Sequence, residues 1–150
     1  MRLEKDFKEF IALLNEYEVR YLIIGGYAFS YYAEPRFTKD IDFLIEPATE
    51  NIDRLLMALD QFGFGSLGLN KEDFLDPDQV IQLGLAPVRI DLLTSIEGVE
   101  FATAWERKTI GSYGDVQALY ISKTDLLISK EKTGRLQDKA DAEKLKRIQG

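Results

Sequence analysis

The chain contains no cysteine and no histidine. That excludes disulfides, zinc sites built on thiolate or imidazole, and catalysis by Ser-His-Asp or Cys-His groupings. A metal would have to be held by oxygen ligands, which points to magnesium or manganese. Long apolar runs are missing too: stretches such as Tyr21 to Ile24 fall far short of a membrane span. The first residues alternate charge through Arg2, Glu4, Lys5 and Asp6, without the apolar core of a signal peptide. The expectation is a soluble cytoplasmic protein with no membrane partner. Positive charge is also short, with 19 basic against 26 acidic residues and a net charge of −7, which argues against duplex DNA as a partner.

What is present fits one domain over residues 1–150, with 45% hydrophobic and 30% charged residues. Charge is unevenly placed. Residues 1–100 carry 9 basic and 19 acidic side chains, whereas residues 101–150 carry 10 and 7. An acidic half that binds metal and a basic end that meets polyphosphate would produce this asymmetry, and so would chance.

Apolar periodicity predicts a helix from about Leu3 to Tyr17, then a buried strand from Val19 to Ile24 that ends at Gly25-Gly26. A short helix over Tyr27 to Ala33 stops before Pro35. Phe37 to Ile45 reads as a strand, with Ile41, Phe43 and Ile45 on one face and Asp40 and Asp42 on the other. A helix follows from Glu50 to Phe62, then a glycine-rich turn over Gly63 to Gly68 and a surface loop over residues 70–78. Val80 to Leu85 and Val88 to Leu93 form a hairpin through Ala86-Pro87. The remainder reads as a helix from Glu100 to Lys108, a strand from Val116 to Ile121, and helices from Ser122 to Lys132 and Leu136 to Ile148. The class is α+β: a mixed β-sheet with helices packed mainly on one face.

Three features carry chemistry. Gly25 and Gly26 join a buried strand to a helix, where bare backbone N–H groups and the helix dipole suit a phosphate; a plain turn needs the same residues. Asp40 and Asp42 leave their strand on one face, where two carboxylates repel unless a cation sits between them or solvent separates them. Asp91 emerges from the apolar strand Val88 to Leu93 on the face of Arg89 and Leu93, and burying it requires a partner. If that strand lies beside the first, the three carboxylates form one cluster able to hold two metals.

The segments Ile23-Ile24-Gly25-Gly26-Tyr27-Ala28, Arg36-Phe37-Thr38-Lys39-Asp40-Ile41-Asp42-Phe43 and Arg89-Ile90-Asp91-Leu92-Leu93 together resemble the polymerase-β-type nucleotidyltransferase superfamily. Within it they look most like small bacterial proteins related to the abortive-infection (AbiEii-like) nucleotidyltransferase toxins. The resemblance covers about residues 15–95 and continues into a C-terminal stretch where Lys130, Arg135, Asp138 and Asp141 match a helical motif. It implies a nucleotidyltransferase fold and transfer of a nucleoside monophosphate from a nucleoside triphosphate. Magnesium or manganese would be held by Asp40, Asp42 and Asp91. Phosphate contact would come from Gly25 and Gly26, with Arg36, Thr38, Lys130 and Asp138 also at the nucleotide. The acceptor is left open among a partner protein, an RNA and a small molecule, and so is an antitoxin-like, partner-binding role with little or no catalysis. Tyr27 departs from the small residue usual after the glycines. The larger helical acceptor domain of the toxin relatives is absent from this sequence, which weakens a tRNA-directed activity.

Overall fold

A computed structural model describes residues 4–36, 38–76, 78–84 and 89–148. Helix α1 (Lys5–Glu16) forms because Phe7, Phe10, Ile11 and Leu14 recur at helical spacing, and all four are buried. Strand β1 (Tyr21–Ile24) is buried along its whole length. It passes straight into α2 (Gly25–Tyr32), so the glycine pair forms the first turn of a helix. Strand β2 (Asp40–Ile45) and helix α3 (Thr49–Leu59) follow. Asn51 of α3 is fully buried and ties the helix to the ends of both strands. Its Oδ1 accepts from the Arg20 N–H at 2.7 Å, and its Nδ2 donates to the Arg20 and Glu46 carbonyls at 3.0 Å each.

Strands β3 (Val80–Leu83) and β4 (Arg89–Leu93) pair antiparallel. Then come α5 (Phe101–Arg107), β5 (Thr109–Tyr113), β6 (Val116–Tyr120), α6 (Lys123–Thr133) and α7 (Leu136–Lys146). The six strands run in the order β3-β4-β2-β1-β6-β5. The sheet is mixed: β2 lies parallel to β4 and antiparallel to β1, while β1 lies parallel to β6. The α+β expectation holds. The apolar face is closed by α1, whose Phe10 meets Phe43 edge-on at 5.4 Å, with Tyr21 against the same ring at 5.7 Å. No helix among the described residues is long and apolar enough to cross a membrane.

Two local expectations are corrected. The segment expected as a surface loop contains a further helix, α4 (Lys71–Leu75). Asp73 accepts from the Asn70 N–H at 2.9 Å, and Phe74 is fully buried, so one apolar anchor and a first-turn carboxylate suffice to wind it. Strand β5 was not anticipated either. It pairs with β6 through a turn at Gly114, but Gly111 interrupts its alternation because a side chain there would meet the Tyr31 hydroxyl. The expected contributions of Leu3, Phe37, Pro77, Leu85, Ala86, Pro87 and Val88 lie outside the described residues.

Candidate functional site

Strand pairing brings the three aspartates to one face. Asp42 is the register partner of Ile24 on one side and of Asp91 on the other, and Asp40 is paired with Arg89. In-register residues on neighbouring strands project the same way from strands about 4.8 Å apart. The Asp42 and Asp91 carboxylates accordingly lie within hydrogen-bonding reach of one another. Burial, followed by the charge of Asp91, pushes the Asp42 carboxyl up to about 7.

Arg89 sits among these acids. Its Nη2 donates to Asp40 Oδ2 at 2.8 Å, and its Nε donates to Asp91 Oδ1 at 2.9 Å. A longer bond of 3.3 Å runs from Nη2 to Asp91 Oδ2. Among the described residues, no group of three or more acidic side chains is disposed as a ready-made metal site. A guanidinium, itself a cation, spans Asp40 and Asp91. Strand alternation already placed Arg89 on the face of Asp91, so its contact with Asp91, though not the one with Asp40, was available to sequence reasoning and was missed.

The glycine pair has a steric role beside these carboxylates. Gly25 has a φ of +68°, and a Cβ there would collide with Asp42 Oδ2. A Cβ on Gly26 would stand 2.5 Å from Thr38 Cγ2. The start of α2, which has no side-chain cap, is thereby pressed against the aspartate strand.

An open cleft of about 890 Å³ covers this face. Of the anticipated site residues, Gly25, Gly26, Asp42, Asp91, Lys130 and Asp138 line it, and Asp40, Arg36 and Thr38 do not. Thr38 Oγ1 is buried without a hydrogen-bond partner among the described residues. Arg36 is engaged elsewhere: it lies over the Phe29 ring at 4.1 Å and donates from both terminal nitrogens to Asp141, at 2.6 and 3.0 Å.

Asp141 is the centre of a second charged cluster, whose Lys130, Arg135, Gln137 and Asp138 line the cleft. It is only 1% exposed. Besides Arg36 it accepts from Lys130 Nζ at 2.9 Å and from Gln137 at 2.9 Å. Asp138 accepts from Thr133 at 2.6 Å, Arg135 at 2.9 Å and Lys130 at 3.3 Å. Burial alone would raise the Asp141 carboxyl, but the bonds from Arg36, Lys130 and Gln137 and the charge of Lys130 outweigh it and leave it at about 2. Asp138 is lowered in the same way, with burial opposed by Thr133, Lys130 and Arg135.

An uncapped helix start against paired aspartates on a mixed sheet is the arrangement that the resemblance to nucleotidyltransferases implies. The chain belongs to the family described as nucleotidyltransferase of unknown function (DUF6036), whose model matches residues 1–148. Among solved structures it is similar to the lincosamide antibiotic adenylyltransferase LnuA in its lincomycin-bound form. The TM-score is 0.60 and the identity 16%, over 97% of this chain and 98% of that one, a likeness of fold. No curated protein matches the chain in sequence.

Proposed function

We propose that the protein transfers a nucleoside monophosphate from a nucleoside triphosphate to a small-molecule hydroxyl. The observation that carries this reading is the in-register pair Asp42 and Asp91 beneath the cleft, with Asp42 driven to about 7 by burial and by its neighbour. Two acids forced together at the floor of a cleft are a poor structural device and a good site for positive charge. Similarity to an adenylyltransferase solved with an antibiotic bound supports the choice of a small acceptor over RNA or protein.

The donor set suits a hard divalent cation, because it is all oxygen and already attracts a guanidinium. Asp42 and Asp91 would hold magnesium or manganese, joined by Asp40 once Arg89 moves, and the ion would supply charge neutralisation for the triphosphate. The chain itself does the positioning. The backbone N–H groups at the start of α2, opened by Gly25 and Gly26, face the phosphates. Lys130, held by Asp138 and Asp141, presents positive charge to the same cleft. The acceptor hydroxyl attacks the α-phosphorus, a new P–O bond forms as the α–β bridge breaks, and pyrophosphate leaves. The hydroxyl proton passes to an Asp91 oxygen. Most of the rate gain is orientation and charge placement.

The test is pyrophosphate release with each of the four triphosphates and a panel of hydroxylated small molecules, with magnesium present. Acceptor-dependent release that Asp42→Asn abolishes supports the reading; its absence with every acceptor while nucleotide still binds refutes it. One observation favours a second reading, a partner-binding, antitoxin-like relative of the abortive-infection proteins. Arg89 already neutralises two of the three aspartates, as a retired catalytic site would allow. Under that reading Asp42→Asn leaves both partner binding and the biological effect intact.

A further inference from the structure

We propose that Arg89 is the resident counter-ion of the aspartate cluster, which a divalent cation must displace before Asp40 and Asp91 can ligate it. This rests on the proposed metal-binding role of those aspartates. Three features carry it. The guanidinium makes three hydrogen bonds at 2.8, 2.9 and 3.3 Å, and together they engage one oxygen of Asp40 and both oxygens of Asp91. Of the four carboxylate oxygens that these two residues offer a metal, Arg89 already engages three. Arg89 is also rooted two residues before Asp91 on the same strand face and is the register partner of Asp40, so the backbone delivers it there without a long reach. Finally, its side chain is one-third exposed, so it can leave for solvent without opening the core.

The consequence is a cluster that binds divalent cations weakly on its own. A metal gains the charge of three carboxylates only after breaking charge-assisted bonds, and until then it meets the repulsion of a fixed positive group. Removing the guanidinium lifts both penalties. The neutral Arg89→Gln is the informative change, since it keeps much of the stem and sits at a partly exposed position.

Manganese binding is read by calorimetry, with no nucleotide present, at pH 8.5. The readout is an affinity for metal alone, so it is independent of turnover. Arg89→Gln should bind manganese at least about fivefold more tightly than the parent protein, and Asp42→Asn in the Arg89→Gln background should abolish the gain. Equal or weaker binding in Arg89→Gln overturns Arg89 as a competitor and leaves the metal reading standing. A gain that survives Asp42→Asn overturns it as well, because the tightened site is then elsewhere. Absence of binding in both proteins overturns this proposal together with the metal reading beneath it.

Discussion

The molecule holds two charged clusters that each contribute residues to one cleft, built from the same residue types and tuned in opposite directions. On the helices, Asp138 and Asp141 face Arg36, Lys130 and Arg135, and every charge has a partner. On the sheet, Arg89 pairs with Asp40 and Asp91, and among the described residues Asp42 makes no ion pair. The result is a carboxyl near 2 in the first cluster and one near 7 in the second. Burial opposes ionisation in both, so the balance of neighbouring charge decides the sign. A cluster with enough cations stiffens the fold. One with too few is a place where a cation from solution would be welcome.

The sharpest way to break this contrast is to neutralise one acid in each cluster. Asp42→Asn should cut nucleotidyl transfer by about a thousandfold. At pH 8 it should leave the fold as stable as before, or more so by about 1–2 kcal/mol, since it removes a repelled charge. Enzyme assays and denaturant melts on the same sample check both halves. Asp141→Asn should do the reverse to stability: it strands Arg36 and Lys130 beside a neutral amide and should cost about 3 kcal/mol in a urea titration.

The pH dependence of stability sharpens the comparison further. Asp141 has a folded-state value below its ordinary 3.8, so its contribution is present above about pH 4 and is lost as pH falls toward 2. Asp42 has a folded-state value above 3.8, so its protonated form favours folding at low pH and that advantage is lost as pH rises through about 7. The Asp42 effect is the larger of the two, since its carboxyl is displaced further from 3.8. Melts from pH 2 to 9 should therefore show the Asp141→Asn profile flattened only at the acid end and the Asp42→Asn profile only between about pH 4 and 7.

Smaller effects follow at the edges. Gly25→Ala puts a Cβ on a positive-φ residue against Asp42 and should cost about 1–2 kcal/mol while weakening nucleotide binding. Arg135→Ala removes a side chain that is 76% exposed and should change stability by no more than about 0.5 kcal/mol in the same melts.

Much of this arrangement was legible in the sequence, for physical reasons. Alternation in Asp40-Ile41-Asp42-Phe43 fixes which face the carboxylates take, because a one-residue slip would bury both. The glycine pair marked the junction where backbone and aspartate approach. Helix α4 was hidden because its five residues carry a single buried aromatic, too little for a period to register. Strand β5 was hidden by Gly111, whose lack of a side chain serves Tyr31 on another element. The placements of Arg36 and Arg89 depend on partners 105 and 49 residues distant, and such pairings exist only once the fold brings them together.

The account turns on whether Asp42 and Asp91 share a cation, and anomalous diffraction from crystals soaked with manganese and a non-hydrolysable triphosphate measures that directly. The predicted result is a manganese peak ligated by oxygens of both residues, with the triphosphate against the start of α2 and Arg89 withdrawn from Asp91. A triphosphate bound in the cleft with no manganese at these two carboxylates, and Arg89 still in place, would contradict it.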